Sequence, residues 1–178
     1  MYRVSRALIP LLFLASNNGH TQDCFETYGD IGKFAIPGIA LGISLLKDDI
    51  EGAKQFGYTW GATLVTSQAL KYSLNTTRPN GKKHSMPSGH TSSAFSGAGY
   101  LHMRYGWEYG IPAYLAAAAV GWSRVEADAH YWRDVIVGAG IGVGFSYLLT
   151  EKYTPNSISI YPTANTNGDI GIVMNYSF

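Results

Sequence analysis

Charge is scarce in this sequence. Only 14% of its 178 residues are charged, with 13 Lys and Arg against 12 Asp and Glu. A basic surface able to grip nucleic acid cannot be built from a net charge of +1, so that partner class is excluded. Cysteine is nearly absent. Cys24 stands alone, which rules out a disulfide framework within the chain and leaves the compartment unreadable from cysteine usage. Uninterrupted apolar runs of the roughly 20 residues that cross a bilayer are missing too, because Thr, Ser, Gln and Gly break them. Mean hydropathy is close to zero. These features favour a compact helical bundle beside a membrane over an integral six-span protein. No internal repeat or low-complexity segment is present.

What is there is apolar, aromatic and rich in glycine. Hydrophobic residues make up 46% of the chain, aromatics 13%, and there are 21 glycines. That suits one domain with a real core, and glycine without a collagen period points to close helix packing. The N-terminus has the order of a secretory signal: basic Met1 to Arg6, apolar Ala7 to Ala15, polar Ser16 to Gln22. Cleavage would remove Arg3 and Arg6. The competing expectation is a retained membrane anchor.

Asp23 to Asp30 reads as a loop or short helix. Ile31 to Leu46 reads as a buried helix with Pro37 as an early kink or start, and Lys47-Asp48-Asp49 ends it. Further helices are expected over Glu51 to Ser73, Ser88 to Arg104, Ile111 to Trp122 and Asp134 to Thr150, with a polar loop from Thr76 to Pro87. The tail alternates over Ser157 to Tyr161 and again over Ile170 to Phe178. With Asn167-Gly168 between them, this predicts a β-hairpin. Two strands cannot close a barrel. The expectation is an all-α bundle of about five to six helices with a short C-terminal β-hairpin. The divisions are a signal or anchor (1–22), a helical domain (23–152) and a tail (153–178).

Three polar stretches interrupt this apolar background. The densest, Ser123 to Asp134, holds Arg124, Glu126, Asp128, His130, Arg133 and Asp134 at the mouth of a glycine-spaced apolar run. Charge in such a place is expensive unless it is paired or binds something. His130 and Asp134 are four apart, neighbours on one face if both are helical, so the carboxylate can orient the imidazole as nucleophile or base. Arg124 can clamp an oxyanion. The competing account is a surface ion-pair network. Glu126 and Asp128 are read as partners for Lys82, Lys83 or Arg133. The second stretch holds Lys71 and Arg78, whose point charge and planar fork suit phosphate oxygens. Alone, it reads as a solvated helix end. The third, Pro87-Ser88-Gly89-His90, opens a helix, where free N–H groups and the dipole favour an anion and His90 can donate a proton. Alone, it reads as a cap plus a surface histidine. His84 is read as a surface loop histidine. Cations crowded around His130 and Asp134 argue against a divalent metal there.

Taken in order, Lys-x6-Arg-Pro at 71–79, Pro-Ser-Gly-His at 87–90 and Ser-Arg-x5-His-x3-Asp at 123–134 resemble the type 2 phosphatidic acid phosphatase (PAP2) superfamily. That superfamily also includes class A acid phosphatases and vanadium haloperoxidases. The resemblance spans about residues 30–150 and leaves out the tail. It implies that Lys71, Arg78 and Arg124 hold the phosphoryl oxygens with Ser88 and the Gly89 N–H. His130 would attack phosphorus, Asp134 would orient His130, and His90 would protonate the leaving oxygen. No metal or other cofactor is implied.

The expected activity is hydrolysis of a phosphomonoester or pyrophosphate through a phosphohistidine, on a lipid at a membrane surface. Aromatic residues near the motifs (Tyr72, Trp107, Tyr109, Trp122, Tyr131, Trp132) suit an amphipathic substrate. Phosphatidylglycerophosphate, undecaprenyl pyrophosphate, phosphatidic acid and lipid A phosphates are all candidates. A soluble periplasmic acid phosphatase is the alternative, and a haloperoxidase would be a much longer chain. From another class, a non-catalytic envelope protein could bind anionic headgroups. The expected location is the bacterial envelope, periplasmic or membrane-associated, with an integral inner-membrane protein as alternative.

Overall fold

The computed structural model describes residues 18–155, 157–164 and 170–177. Five helices run up and down in chain order: α1 (Asn18–Leu46), α2 (Ile50–Leu74), α3 (Gly89–Tyr105), α4 (Trp107–Glu126) and α5 (Trp132–Leu149). An antiparallel pair follows, β1 (Ser157–Ala164) and β2 (Ile170–Ser177), in register Ser157 to Ser177 and Ala164 to Ile170. The expected Asn167-Gly168 turn lies outside the described residues, as does most of the signal-like segment, residues 1–17.

Two helices are longer than their apolar cores. α1 continues through Asp23 to Asp30, where a loop or short helix was expected, and Pro37 lies inside it rather than at its start. α4 begins at Trp107 and runs to Glu126. The turns added to α1 are polar and those added to α4 mix Trp107 and Tyr109 with charged residues and glycine, and pattern reading stops where apolar periodicity stops. The other helix ends follow cap chemistry. Asp49 caps α2 by accepting the Gly52 N–H (2.9 Å), and Asn75 ends it in the left-handed region.

α3 is the central helix. Its Ala94, Ala98, Tyr100 and Leu101 meet Ile36 and Ala40 of α1, Phe56 of α2, and Ala113, Ala117 and Val120 of α4 in one buried cluster. α5 lies against the opposite side of α3, so closely that a Cβ on Gly142 would fall 2.5 Å from the Ser92 carbonyl oxygen. Far from the motifs, the bundle is tied by a buried ion pair. Arg104 donates to both Asp49 oxygens (2.7 and 2.5 Å) and to the Glu151 carbonyl (2.9 Å), while the Tyr105 hydroxyl donates to Asp49 (2.8 Å). Every charged group there has partners, which a buried ion pair requires.

The outside of the bundle is apolar. Val65 (70%), Leu115 (68%), Ile136 (67%) and Leu148 (72%) are largely exposed, and Phe34, Ile39, Leu46 and Trp132 join them. Among the described residues, α1 is long and apolar enough to cross a membrane by length and composition, over Asp23–Leu46.

Candidate active site

The three motifs meet at one end of the bundle, where α2 ends, α3 starts and α4 passes into α5. Lys71 sits in the last turn of α2. α2 stops at Leu74, so Arg78 does not share a helical face with Lys71. It lies in the following loop, where its N–H donates to the Lys82 carbonyl (2.8 Å) and its own carbonyl accepts from Gly81 (3.0 Å). Ser88 is the N-cap of α3, its hydroxyl oxygen accepting from the Thr91 hydroxyl (2.9 Å). Gly89 opens the helix, and a Cβ there would stand 3.6 Å from Lys71 Nζ. The first N–H groups of α3 therefore lie beside that ammonium, and a helix start has no internal acceptors for them.

His130 and Asp134 come together, but not on one helical face. α5 begins at Trp132, which leaves His130 in the turn that precedes it. That turn is wound around Arg124, whose carbonyl accepts the N–H groups of both Ala129 (3.0 Å) and His130 (3.1 Å). Asp134 stands in the first turn of α5. Its Oδ2 accepts the Tyr131 N–H (3.0 Å) and lies 3.8 Å from His130 Nδ1, too far for a hydrogen bond. Its carbonyl accepts the Ser88 N–H (3.0 Å), which ties the second motif to the third.

Both groups are sealed from solvent, His130 at 2% and Asp134 at 0% exposure. Burial, with the positive charges of Lys71 and Arg78 close by, pushes the His130 imidazole down to about 3 against the opposing pull of Asp134. It is neutral at physiological pH, with a lone pair available. Three buried side-chain atoms lack a hydrogen-bond partner among the described residues, and all three are here: Arg78 Nε, His130 Nδ1 and Asp134 Oδ1. Such atoms are rare because each costs about 1–3 kcal/mol.

The remaining motif residues face α1. Arg124 donates through Nε to Ser123 Oγ (3.1 Å), through one terminal nitrogen to Asp30 (3.0 Å), and through the other to the Glu26 carbonyl. Each terminal nitrogen keeps a second N–H. His90 Nε2 lies 2.8 Å from Asp30 Oδ1 and 3.1 Å from Lys33 Nζ.

Sequence reasoning missed Ser85, Asp30 and Lys33. Ser85 is fully buried and donates to Asp134 Oδ2 (2.5 Å). Glu26, Asp30 and Lys33 follow the helical spacing that stacks residues on one face, a signal present in the sequence but hidden by separating Asp23 to Asp30, read as a loop or short helix, from the helix at Ile31 to Leu46. Two other assignments are corrected. His84 is half-buried at the end of α2, its Nδ1 3.1 Å from the Lys71 carbonyl and its ring against Tyr72. Asp128 forms no ion pair among the described residues; its carbonyl accepts the Asn80 N–H (3.2 Å), joining the Arg78 loop to the turn before His130. Glu126 accepts the Trp122 indole N–H (2.8 Å).

Clustered cations, a helix start and a buried neutral imidazole are the parts of a phosphoryl-transfer site. The chain belongs to the PAP2 superfamily, whose model matches residues 52–157, and it is a phosphoric monoester hydrolase. Over 157 residues it is 32% identical to the lipid A 4′-phosphatase of Helicobacter pylori, covering 80% of this chain and 77% of that one. Over 136 residues it is 32% identical to the lipid A 1-phosphatase of Porphyromonas gingivalis, covering 54% of this chain and 30% of that longer one. The crystal structure of Aquifex aeolicus LpxE has the same fold, with a TM-score of 0.64 at 23% identity over 73% of this chain and 85% of that one.

Proposed function

We propose that this protein is a membrane lipid phosphatase that removes phosphate from a lipid A-type glycolipid through a phosphohistidine at His130. The observation that carries the reading is that, among the described residues, the unpartnered buried polar side-chain atoms all lie at this one site. A phosphoryl group would supply an acceptor for Arg78 Nε. It would also draw charge onto the His130 ring, so that Nδ1–H and Asp134 form the hydrogen bond that 3.8 Å does not allow.

In this mechanism Lys71, Arg78, the free N–H groups of Arg124 and the start of α3 hold the phosphoryl oxygens. They stabilise the charge that spreads over them in the transition state. His130 Nε2 attacks phosphorus in line with the leaving oxygen. Asp134 holds Nδ1 and stabilises the cationic ring. His90 gives a proton to the leaving oxygen, then takes one from the water that hydrolyses the phosphohistidine.

The lipid substrate rests on the apolar exterior and on the relatives. Exposed Val65, Leu115, Ile136 and Leu148 are unfavourable in water and at home in acyl chains. The bundle is thus read as embedded in the membrane, with the site at one face. Residues 1–22 act as a signal or anchor, 23–152 as the phosphatase domain, and 153–178 as an appended hairpin. An envelope location follows from a lipid A-type substrate.

The test is phosphate release by protein purified in detergent from lipid A, phosphatidic acid and phosphatidylglycerophosphate. Lipid A is expected to be turned over fastest, and His130→Ala to be inactive on all three. Full activity of His130→Ala would overturn the mechanism, and equal rates across the panel would overturn the substrate assignment. Retention in the membrane pellet after alkaline carbonate washing checks the embedding.

A further inference from the structure

The family match begins at Gly52, yet α1, which precedes it, reaches into the site. The approach is close. Gly29 of α1 is buried, and a Cβ there would fall 2.1 Å from Ser123 Oγ and 2.6 Å from an Arg124 terminal nitrogen. Contact at Gly29 sets the next residue, Asp30, between Arg124 (3.0 Å) and His90 Nε2 (2.8 Å), both on the same carboxylate oxygen. One turn on, Lys33 Nζ comes within 3.1 Å of the same imidazole nitrogen.

A ring nitrogen has one in-plane partner at a time. Nε2 pairs with Asp30 only when it carries a proton, and with Lys33 only when it does not. Asp30 therefore selects the form in which the second nitrogen, Nδ1, is left to exchange protons. His90 Nδ1 makes no hydrogen bond among the described residues. Beside His90 a cleft of about 390 Å³ opens between α1, α2 and the start of α3, lined by polar Lys33, Gln68 and Lys71 and by apolar Phe34 and Leu64. A leaving group with a polar head and an apolar body fits there.

We propose that Asp30 is the positioning residue of His90. It keeps a proton on Nε2, so that Nδ1 delivers its proton to the oxygen leaving into the α1–α2 cleft. The proposal rests on the reading of His90 as the acid. His130 Nε2 forms a bond to phosphorus while the bond from phosphorus to the leaving oxygen breaks. That bond's electron pair goes to the oxygen, which takes the Nδ1 proton. The negative charge of the bound phosphate offsets Lys33 and brings His90 to the imidazolium, and the transfer returns it to neutral imidazole, still donating through Nε2–H to Asp30. The arrangement parallels Asp134 and His130, with the carboxylate supplied by an element outside the family match.

The experiment compares a leaving group that needs a proton with one that does not. Asp30→Asn, Asp30→Ser, Asp30→Glu and His90→Ala are assayed on short-chain phosphatidic acid and on p-nitrophenyl phosphate, whose nitrophenolate departs unprotonated. Asp30→Asn and Asp30→Ser are expected to lower kcat/KM, which reports the steps up to the phosphohistidine and not its hydrolysis, roughly tenfold or more on the lipid, with kcat/KM on the aryl ester within about twofold and Asp30→Glu largely restored. A role limited to holding Arg124 would lower both substrates together, and that outcome, like no loss on either, overturns the proposal. His90→Ala separates the two readings. If it shows the leaving-group split and the Asp30 variants do not, only Asp30 is misassigned. If it shows none, His90 is not the acid and the proposal falls with it.

Discussion

Ser85 Oγ donates a 2.5 Å hydrogen bond to Asp134 Oδ2, and both residues are fully buried. The same carboxylate oxygen accepts the Tyr131 N–H and faces His130 Nδ1. Ser85 thus fixes the direction of the group proposed to orient the nucleophile. Ser85→Ala leaves that lone pair unmet in the interior, which costs about 1–3 kcal/mol of stability. It also frees Asp134 to rotate, so kcat is expected to fall roughly tenfold while KM changes little. Thermal denaturation and steady-state kinetics on the same preparation check both.

Arg78 Nε is buried without a partner, whereas Arg124 is already held by α1. The two arginines should therefore differ in how completely they serve the phosphate. Arg78→Ala is expected to lower kcat/KM by roughly a hundredfold, the size of loss seen when one transition-state donor is removed. Arg78→Lys keeps the charge but not the fork, and should recover only part. Product inhibition by inorganic phosphate is the cleaner readout, and it should weaken in both variants.

The depressed His130 makes a sharp pH prediction. The folded imidazole titrates at about 3, against about 6.5 when unfolded. Between those values the unfolded chain binds the extra proton, so stability rises with pH there. Acidification from 6.5 towards 3 removes the contribution, which is fully present above 6.5. Nitrogen-15 spectra of histidine-labelled protein in detergent should show His130 neutral from pH 8 to about 4. A His130 midpoint near 6.5 would contradict the buried, cation-flanked site. Denaturation across the same range should show a smaller acid loss for His130→Ala than for the unsubstituted protein.

The glycines of α5 divide by what lies opposite. A Cβ on Gly142 would meet the Ser92 carbonyl oxygen at 2.5 Å and Ser96 N at 2.7 Å, while Gly140 and Gly144 have nothing within 4 Å. Gly142→Ala must push α5 off α3 and should lower stability by about 1–3 kcal/mol. Gly140→Ala should be neutral or stabilising by up to about 1 kcal/mol, since alanine is the better helix former. Melting temperatures of the two variants test this. Equal shifts would mean that the α3–α5 contact does not hold the site together.

Much of this was legible in the sequence, and the limits have physical reasons. Five helices and a terminal hairpin were readable from apolar periodicity and turn residues, as the Ser88 cap shows. The three motifs announced themselves because charge is so rare elsewhere. What spacing could not give was the route by which residues meet. His130 and Asp134 come together through a turn wound on the Arg124 carbonyl, and Arg78 reaches the site from a loop. Both are tertiary arrangements that a helical template misreads. Asp30 escaped because the polar start of α1 was not joined to its apolar part, and Lys33 because a lone lysine on an apolar helix shows no partner in the sequence. Ser85 carried no signal beyond its place beside the second motif.

The central claim is that phosphorus passes through His130. Protein rapidly quenched during turnover of labelled lipid phosphate, then digested and sequenced by mass spectrometry, tests it most directly. The expected result is acid-labile, alkali-stable label on His130, accumulating in His90→Ala where hydrolysis of the intermediate is slowed, and absent from His130→Ala. Turnover at full rate with no label on His130, or with label on another residue, would contradict it.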